Sequence, residues 1–205
     1  MNREQWLNAA ADKINTVVFA PHDVKAVDFR VSTGFPAGAR PFSREDGSIG
    51  GAIGQCWNPS TSAGNITEMF ISPVLSDAIS EDDNNNGVLE TLVHEMDHCI
   101  VGTECSHKGP FKRLALKIGL EGPMKATHAG PKLNDQLKAI AAELGKYPHE
   151  VLTPAIEKKG TKGSRLIKVV CPECDNVARQ AKTPFLTYGL VCGACNIPMI
   201  RGDIA

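Results

Sequence analysis

The sequence predicts an α+β fold with a small cysteine-rich β module appended to it, and three observations carry that expectation. Apolar residues recur at helical spacing near the N-terminus and again through residues 88–144. Between those stretches lie short segments that alternate apolar and polar side chains, the pattern of half-buried strands. Two Cys-x-x-Cys pairs stand near the C-terminus. With 205 residues, 42% of them hydrophobic, the chain can bury one genuine core and carry a small second module.

Trp6, Leu7, Ala10, Ile14 and Val17 set an amphipathic opening helix over residues 3–18. Residues 26–31 place Val27, Phe29 and Val31 against Asp28 and Arg30, so they read as a strand. Residues 32–48, rich in Gly, Pro and Ser, read as a loop. Residues 49–57 and 65–72 are further strands joined by a turn-rich connection, giving a small antiparallel sheet of about three strands. A polar tract over 80–87 precedes a helix at 88–101, where Leu89, Leu92, Val93, Met96 and Ile100 form one stripe and Gly102 marks the end. Helices near 110–118 and 134–144 follow, the latter closed by Gly145. The charged, glycine-rich stretch 157–164 reads as a linker, dividing the chain into residues 1–155 and 156–205. In the second part, 165–170 and 185–191 are the apolar segments of a module of antiparallel hairpins.

Some classes are disfavoured at once. No run of about 18 apolar residues is present, so a membrane span is not expected. The N-terminus carries no apolar h-region of a signal peptide. Seven cysteines, four of them in CxxC pairs, favour thiolate–metal chemistry in a reducing cytoplasm over a disulfide framework.

The helix at 88–101 contains His94-Glu95-Met96-Asp97-His98. At 3.6 residues per turn, His94 and His98 share one face and can meet a single zinc ion at about 2.0–2.1 Å. Glu95 lies about 100° round the helix, near such an ion but not on it, where a carboxylate can take a proton from an activated water. A catalytic zinc needs a third protein ligand and an open position. His107, beyond the helix-ending Gly102, is the favoured third ligand; Glu104 and Glu121 are rivals, and His128 a weaker one.

These residues, with His107-Lys108-Gly109-Pro110-Phe111 and the following Ile118-Gly119-Leu120, resemble the SprT-like metallopeptidases. That family takes its third zinc ligand from a His-Gly-x-x-Phe segment after the HExxH helix. His107 and Phe111 match it, while Lys108 stands where glycine is usual. The resemblance implies a minimal zincin-like peptidase domain, a catalytic zinc on His94, His98 and His107 with Glu95 as general base, and a strand near 65–72 lining the cleft. It also implies protein or peptide substrates, DNA-associated proteins among them.

Cys171-x-x-Cys174 and Cys192-x-x-Cys195 have the spacing of a structural zinc site, four thiolates closing a tetrahedron with no open position. Such a small module would draw most of its stability from the metal. Cys56, Cys99 and Cys105 read as buried apolar residues. Residues 1–104 hold 6 Lys and Arg against 15 Asp and Glu; residues 105–205 hold 16 against 8. This asymmetry points to nucleic-acid contact by the basic part, with Phe185 and Tyr188 as stacking candidates. The competing expectation is a nucleic-acid-binding adaptor whose HExxH site is inactive or structural.

Overall fold

The computed structural model describes residues 1–24, 28–37, 41–43, 49–80, 86–153 and 166–202. The chain divides into two compact units, Met1–Glu157 and Lys158–Ala205. The start of the strand expected at 26–31, parts of the 32–48 loop and the 80–87 tract, and all of the 157–164 linker lie outside the described residues.

The first unit is a mixed α+β domain. Helix α1 (Arg3–Ile14) is capped by Asn2, whose side chain accepts from the Gln5 N–H while Gln5 reaches back to the Asn2 N–H. The helix runs on through a π turn, Asn15–Phe19, so the apolar periodicity extends beyond its α-helical end. Strand β1 (Phe29–Thr33) follows, then the short pair β2 (Phe42–Ser43) and β3 (Ile49–Gly50), β4 (Gly54–Trp57) and β5 (Thr67–Ile71).

The main sheet has the order β1-β5-β4. The expected sheet is antiparallel throughout; the observed one is mixed. β5 pairs antiparallel with β4 but parallel with β1, Val31 opposite Met69. A parallel pair needs a long crossover, and residues 34–66 supply it. The apolar stretch 49–57 is likewise two strands, because Gly51, at φ +86°, bends the backbone between β3 and β4.

Helix α2 (Val88–Val101) spans the expected residues. Glu90 starts it by accepting from the Gly87 N–H at 2.9 Å. Its stripe Leu89, Leu92, Val93 and Met96 is no more than 1% exposed. That stripe packs with Trp6, Leu7, Ala10 and Ile14 of α1 and with Val31, Met69 and Ile71 of the sheet. Helices α3 (Pro110–Ile118) and α4 (Pro131–Leu144) complete the layer, joined by a small ladder of β6 (Leu120–Glu121) and β7 (His128–Ala129). Trp6 Nε1–H donates to the Gly145 carbonyl at 3.1 Å, tying α1 to the end of α4.

The second unit contains the antiparallel sheet β10-β8-β9, from β8 (Leu166–Val170), β9 (Val177–Ala181) and β10 (Ile200–Arg201). A short helix, α5 (Lys182–Tyr188), takes part of the segment expected to belong to a hairpin. Its core is Val169, Cys171, Cys192 and Met199, small enough that the cysteines themselves form half of it.

Candidate metal centre and cleft

Because the stripe of α2 is buried, the rotation of the helix is fixed, and His94 and His98 emerge together on another face. The chain then turns sharply. Gly102 adopts φ +91°, residues 103–105 form one 3-10 turn, and Gly109 adopts φ +44° before α3 begins at Pro110. Between the two glycines His107 is carried back over α2. Its Nε2 lies 3.2 Å from Nε2 of His94 and 3.2 Å from Nε2 of His98. Phe111, fully buried, packs against all three rings and stacks on His98 with centroids 4.3 Å apart.

Among the described residues, His94, His98 and His107 form a group that could hold a metal ion, and Cys171, Cys174, Cys192 and Cys195 form another. The donor sets fit one. Ligands about 2.0–2.1 Å from a tetrahedral ion stand about 3.3 Å apart, close to the imidazole spacing. Burial, and then the neighbouring imidazoles, push His94 down to about 3 and His98 to about 4. Burial and then the Lys125 charge lower His107. The rings are therefore neutral at pH 7, with lone pairs free. Glu104, Glu121 and His128 are not in the group: the Glu104 carboxylate lies over Gly102, that of Glu121 over Gly130, and the His128 ring against Gly122.

The four thiols sit in two matching knuckles. In each, the first cysteine's N–H donates to the carbonyl five residues on, Cys171 to Asn176 and Cys192 to Ile197, both at 2.9 Å. The N–H four residues on returns to that cysteine's carbonyl, from Asp175 and from Asn196. Asp175 and Asn196 both take positive φ, a conformation their short side chains tolerate. Cys174 Sγ and Cys192 Sγ are 3.7 Å apart, near the roughly 3.8 Å edge expected for Zn–S bonds of about 2.3 Å. Backbone N–H groups of Cys195 and Ala194 bring the Cys192 thiol down to about 6.

A cleft of about 580 Å³ opens on the imidazoles, lined by residues 51–56, Leu75, Asn86, Thr91, Glu95 and the loop residues Lys125–Thr127 among others. The wall is therefore β4 and the chain leading into it, not the 65–72 strand. β5 is paired on both sides at the centre of the sheet, whereas β4 is an edge strand against α2. Glu95 is buried under this wall, accepting from the Cys56 N–H. Desolvation outweighs that bond and pushes its carboxyl up to about 8. Glycine is required opposite it: a Cβ on Gly54 would stand 2.5 Å from Glu95 Oε1 and 2.8 Å from Thr91 Cγ2.

Two features escaped the sequence. Cys56 and Cys99 are half-buried and face each other, Sγ to Sγ 3.2 Å, so they are not simply core fillers; Cys105, also half-buried, bonds the Val101 carbonyl. Thr127 is 1% exposed, and its hydroxyl meets His94 Nδ1 at 2.8 Å. It lies in a loop with no motif, so no pattern could have singled it out. In the second unit, Phe185 packs against the core while Tyr188 is 86% exposed. No family model, no curated protein and no solved structure matches this chain. No helix among the described residues is long and apolar enough to cross a membrane.

Gly54→Ala should displace the Glu95 carboxylate while leaving the imidazoles in place. Metal content of the purified variant should match the wild type, and the pH dependence of Glu95 titration should shift. A second expectation concerns metal-free protein. Glu95 and Asp97, both raised to about 8 from ordinary values of 4.5 and 3.8, hold protons in the folded state that the unfolded chain has released. Their contribution is full at low pH and is lost as pH rises through 8. His94 and His98 act oppositely, their contribution being lost as pH falls below 6.5. Between pH 6.5 and 8 the carboxylates dominate, so the thermal midpoint of metal-free protein should fall across that interval, and Glu95→Gln should flatten the slope.

Proposed function

We propose that the first unit is a zinc-dependent endopeptidase of the SprT-like kind, with His94, His98 and His107 holding the metal and Glu95 as general base. The observation that carries this reading is the pairing of three converging neutral imidazoles with a buried carboxylate one residue along the same helix. A purely structural site would have no use for an acidic group kept dry beside it, and keeping it there costs stability. Zinc, when bound, supplies a Lewis acid that polarises a peptide carbonyl and acidifies water.

The chain's own groups do the rest. Glu95 lines the cleft and takes the proton of the attacking water, then delivers it to the leaving amine. Beside a cation held by the imidazoles, the Glu95 carboxyl would release its proton more readily than in metal-free protein, as a base must. The Cys56 N–H orients the carboxylate, and Gly54 leaves room for it. Lys125, the one cationic side chain among the described lining residues, is available to negative charge developing on the substrate oxygen. β4, at the edge of the sheet among the described residues, would present a backbone edge to an extended polypeptide.

For the second unit we propose a structural zinc on the four cysteines and contact with nucleic acid. Residues 158–205 carry eight Lys and Arg against three Asp and Glu. Exposed Lys168 and Arg179 are cross-strand partners on one face of the sheet, and Tyr188 projects into solvent. Together they suit phosphate neutralisation with base stacking, and would bring the peptidase to proteins on DNA.

Glu95→Gln in the zinc-loaded full chain should abolish cleavage of a disordered, fluorescein-labelled protein substrate while zinc content stays unchanged. Full activity in that variant would end the peptidase mechanism, and loss of zinc would make Glu95 a ligand. DNA binding should show in fluorescence anisotropy and weaken by about 0.9 log unit per decade of salt for each duplex phosphate contact, so three contacts would lose roughly 500-fold. Absence of binding at low salt would remove nucleic acid from the proposal and leave the peptidase reading standing.

A further inference from the structure

We infer that Thr127 is the positioning residue of the imidazole site: its hydroxyl fixes His94 so that Nε2, and not Nδ1, presents the lone pair. The inference rests on the reading of His94, His98 and His107 as a metal site. A neutral imidazole carries one proton, and free histidine can place it on either nitrogen. At His94 the two nitrogens face different surroundings. Nε2 points to Nε2 of His107 at 3.2 Å, and Nδ1 points to Thr127 Oγ1 at 2.8 Å. A hydroxyl accepting from Nδ1–H locks the proton there and leaves Nε2 free for a metal. The same bond holds the ring plane, which a lone His on an exposed helix face would not keep.

Thr127 can do this because it is itself held. Its carbonyl accepts from Asn86 Nδ2 at 2.8 Å, just before α2. Two residues on, the Ala129 N–H donates to Glu90 Oε1 at 3.0 Å, while Glu90 Oε2 accepts from the Gly87 N–H. One carboxylate thus caps α2 and fastens the strand that follows Thr127. The Ala126 N–H closes a turn on the Pro123 carbonyl at 2.7 Å on the other side. The threonine is therefore stitched to the first turn of the helix whose second turn carries His94. The ring and its acceptor move as one body, as a site needing fixed geometry demands.

The test uses the full chain with cobalt(II) and zinc(II) as probes, since thiolate charge-transfer bands report the cysteine site separately from the imidazole site. Thr127→Val removes the hydroxyl at nearly constant volume and should weaken metal affinity at the imidazole site about 10–100-fold, leaving the cysteine site unchanged. The His94 Nδ1–H resonance should exchange slowly in the zinc-loaded wild type and be lost to solvent exchange in the Val variant. Thr127→Ser should restore both. Wild-type affinity and a retained resonance in the Val variant would overturn the inference. Equal losses in Val and Ser variants would do so too, because packing and not the hydroxyl would then be responsible. His94→Ala separates the two levels of the argument. If it loses metal while Thr127→Val does not, only the role of Thr127 falls; if it keeps metal, the imidazole site falls with it.

Discussion

The rotation of α2 about its own axis is the constraint from which the site follows, since one set of side chains must vanish into the core before any other can face the cleft. Leu89, Leu92, Val93 and Met96 are sealed against α1 and the sheet, and full burial of such a side chain is worth about 1.5–3 kcal/mol. A few degrees of slip would expose part of that surface. The arrangement leaves His94 and His98 one turn apart toward the cleft and turns Glu95 under β4. The sheet, the opening helix and α4 matter to the chemistry chiefly because they hold this setting.

The same burial imposes costs that the fold offsets unevenly. Glu95 is dehydrated but receives one backbone N–H and faces the cleft. Asp97 is fully buried, and neither of its carboxylate oxygens has a hydrogen-bond partner among the described residues. Burial alone holds it protonated near neutrality, and the structure gives no reason for its presence. The imidazoles meet the problem differently. They stay uncharged, pack against Phe111 and, at His94, direct Nδ1 at the Thr127 hydroxyl.

Legibility in the sequence followed the distance over which a feature is encoded. Helices at 88–101 and near 110–118 could be read from the sequence, because apolar spacing and the helix-ending Gly102 are local signals. The approach of His107 to His94 and His98 was readable for the same reason. The sheet was not. Nothing local distinguishes a parallel from an antiparallel partner, and the pairing of β1 with β5 is settled by how residues 34–66 cross between them. The resemblance puts the cleft wall on residues 65–72, yet alternation reports one buried face and not a place in the sheet, and the wall is the glycine-started edge β4. Gly54, Cys56 and Thr127 act through contacts spanning tens of residues and carry no pattern of their own.

The compactness of the imidazole set along the chain bears on how it assembles. His94, His98 and His107 all lie between residues 94 and 107, two of them within one helical turn. Closing so short a loop costs little chain entropy. The parallel register of β1 on β5, by contrast, must wait for a crossover of more than thirty residues. The three imidazoles therefore add little closure cost of their own, but the core that fixes the rotation of α2 must form for them to face one point. Gly54 and Thr127 reach Glu95 and His94 from before and after in the chain, each across more than thirty residues.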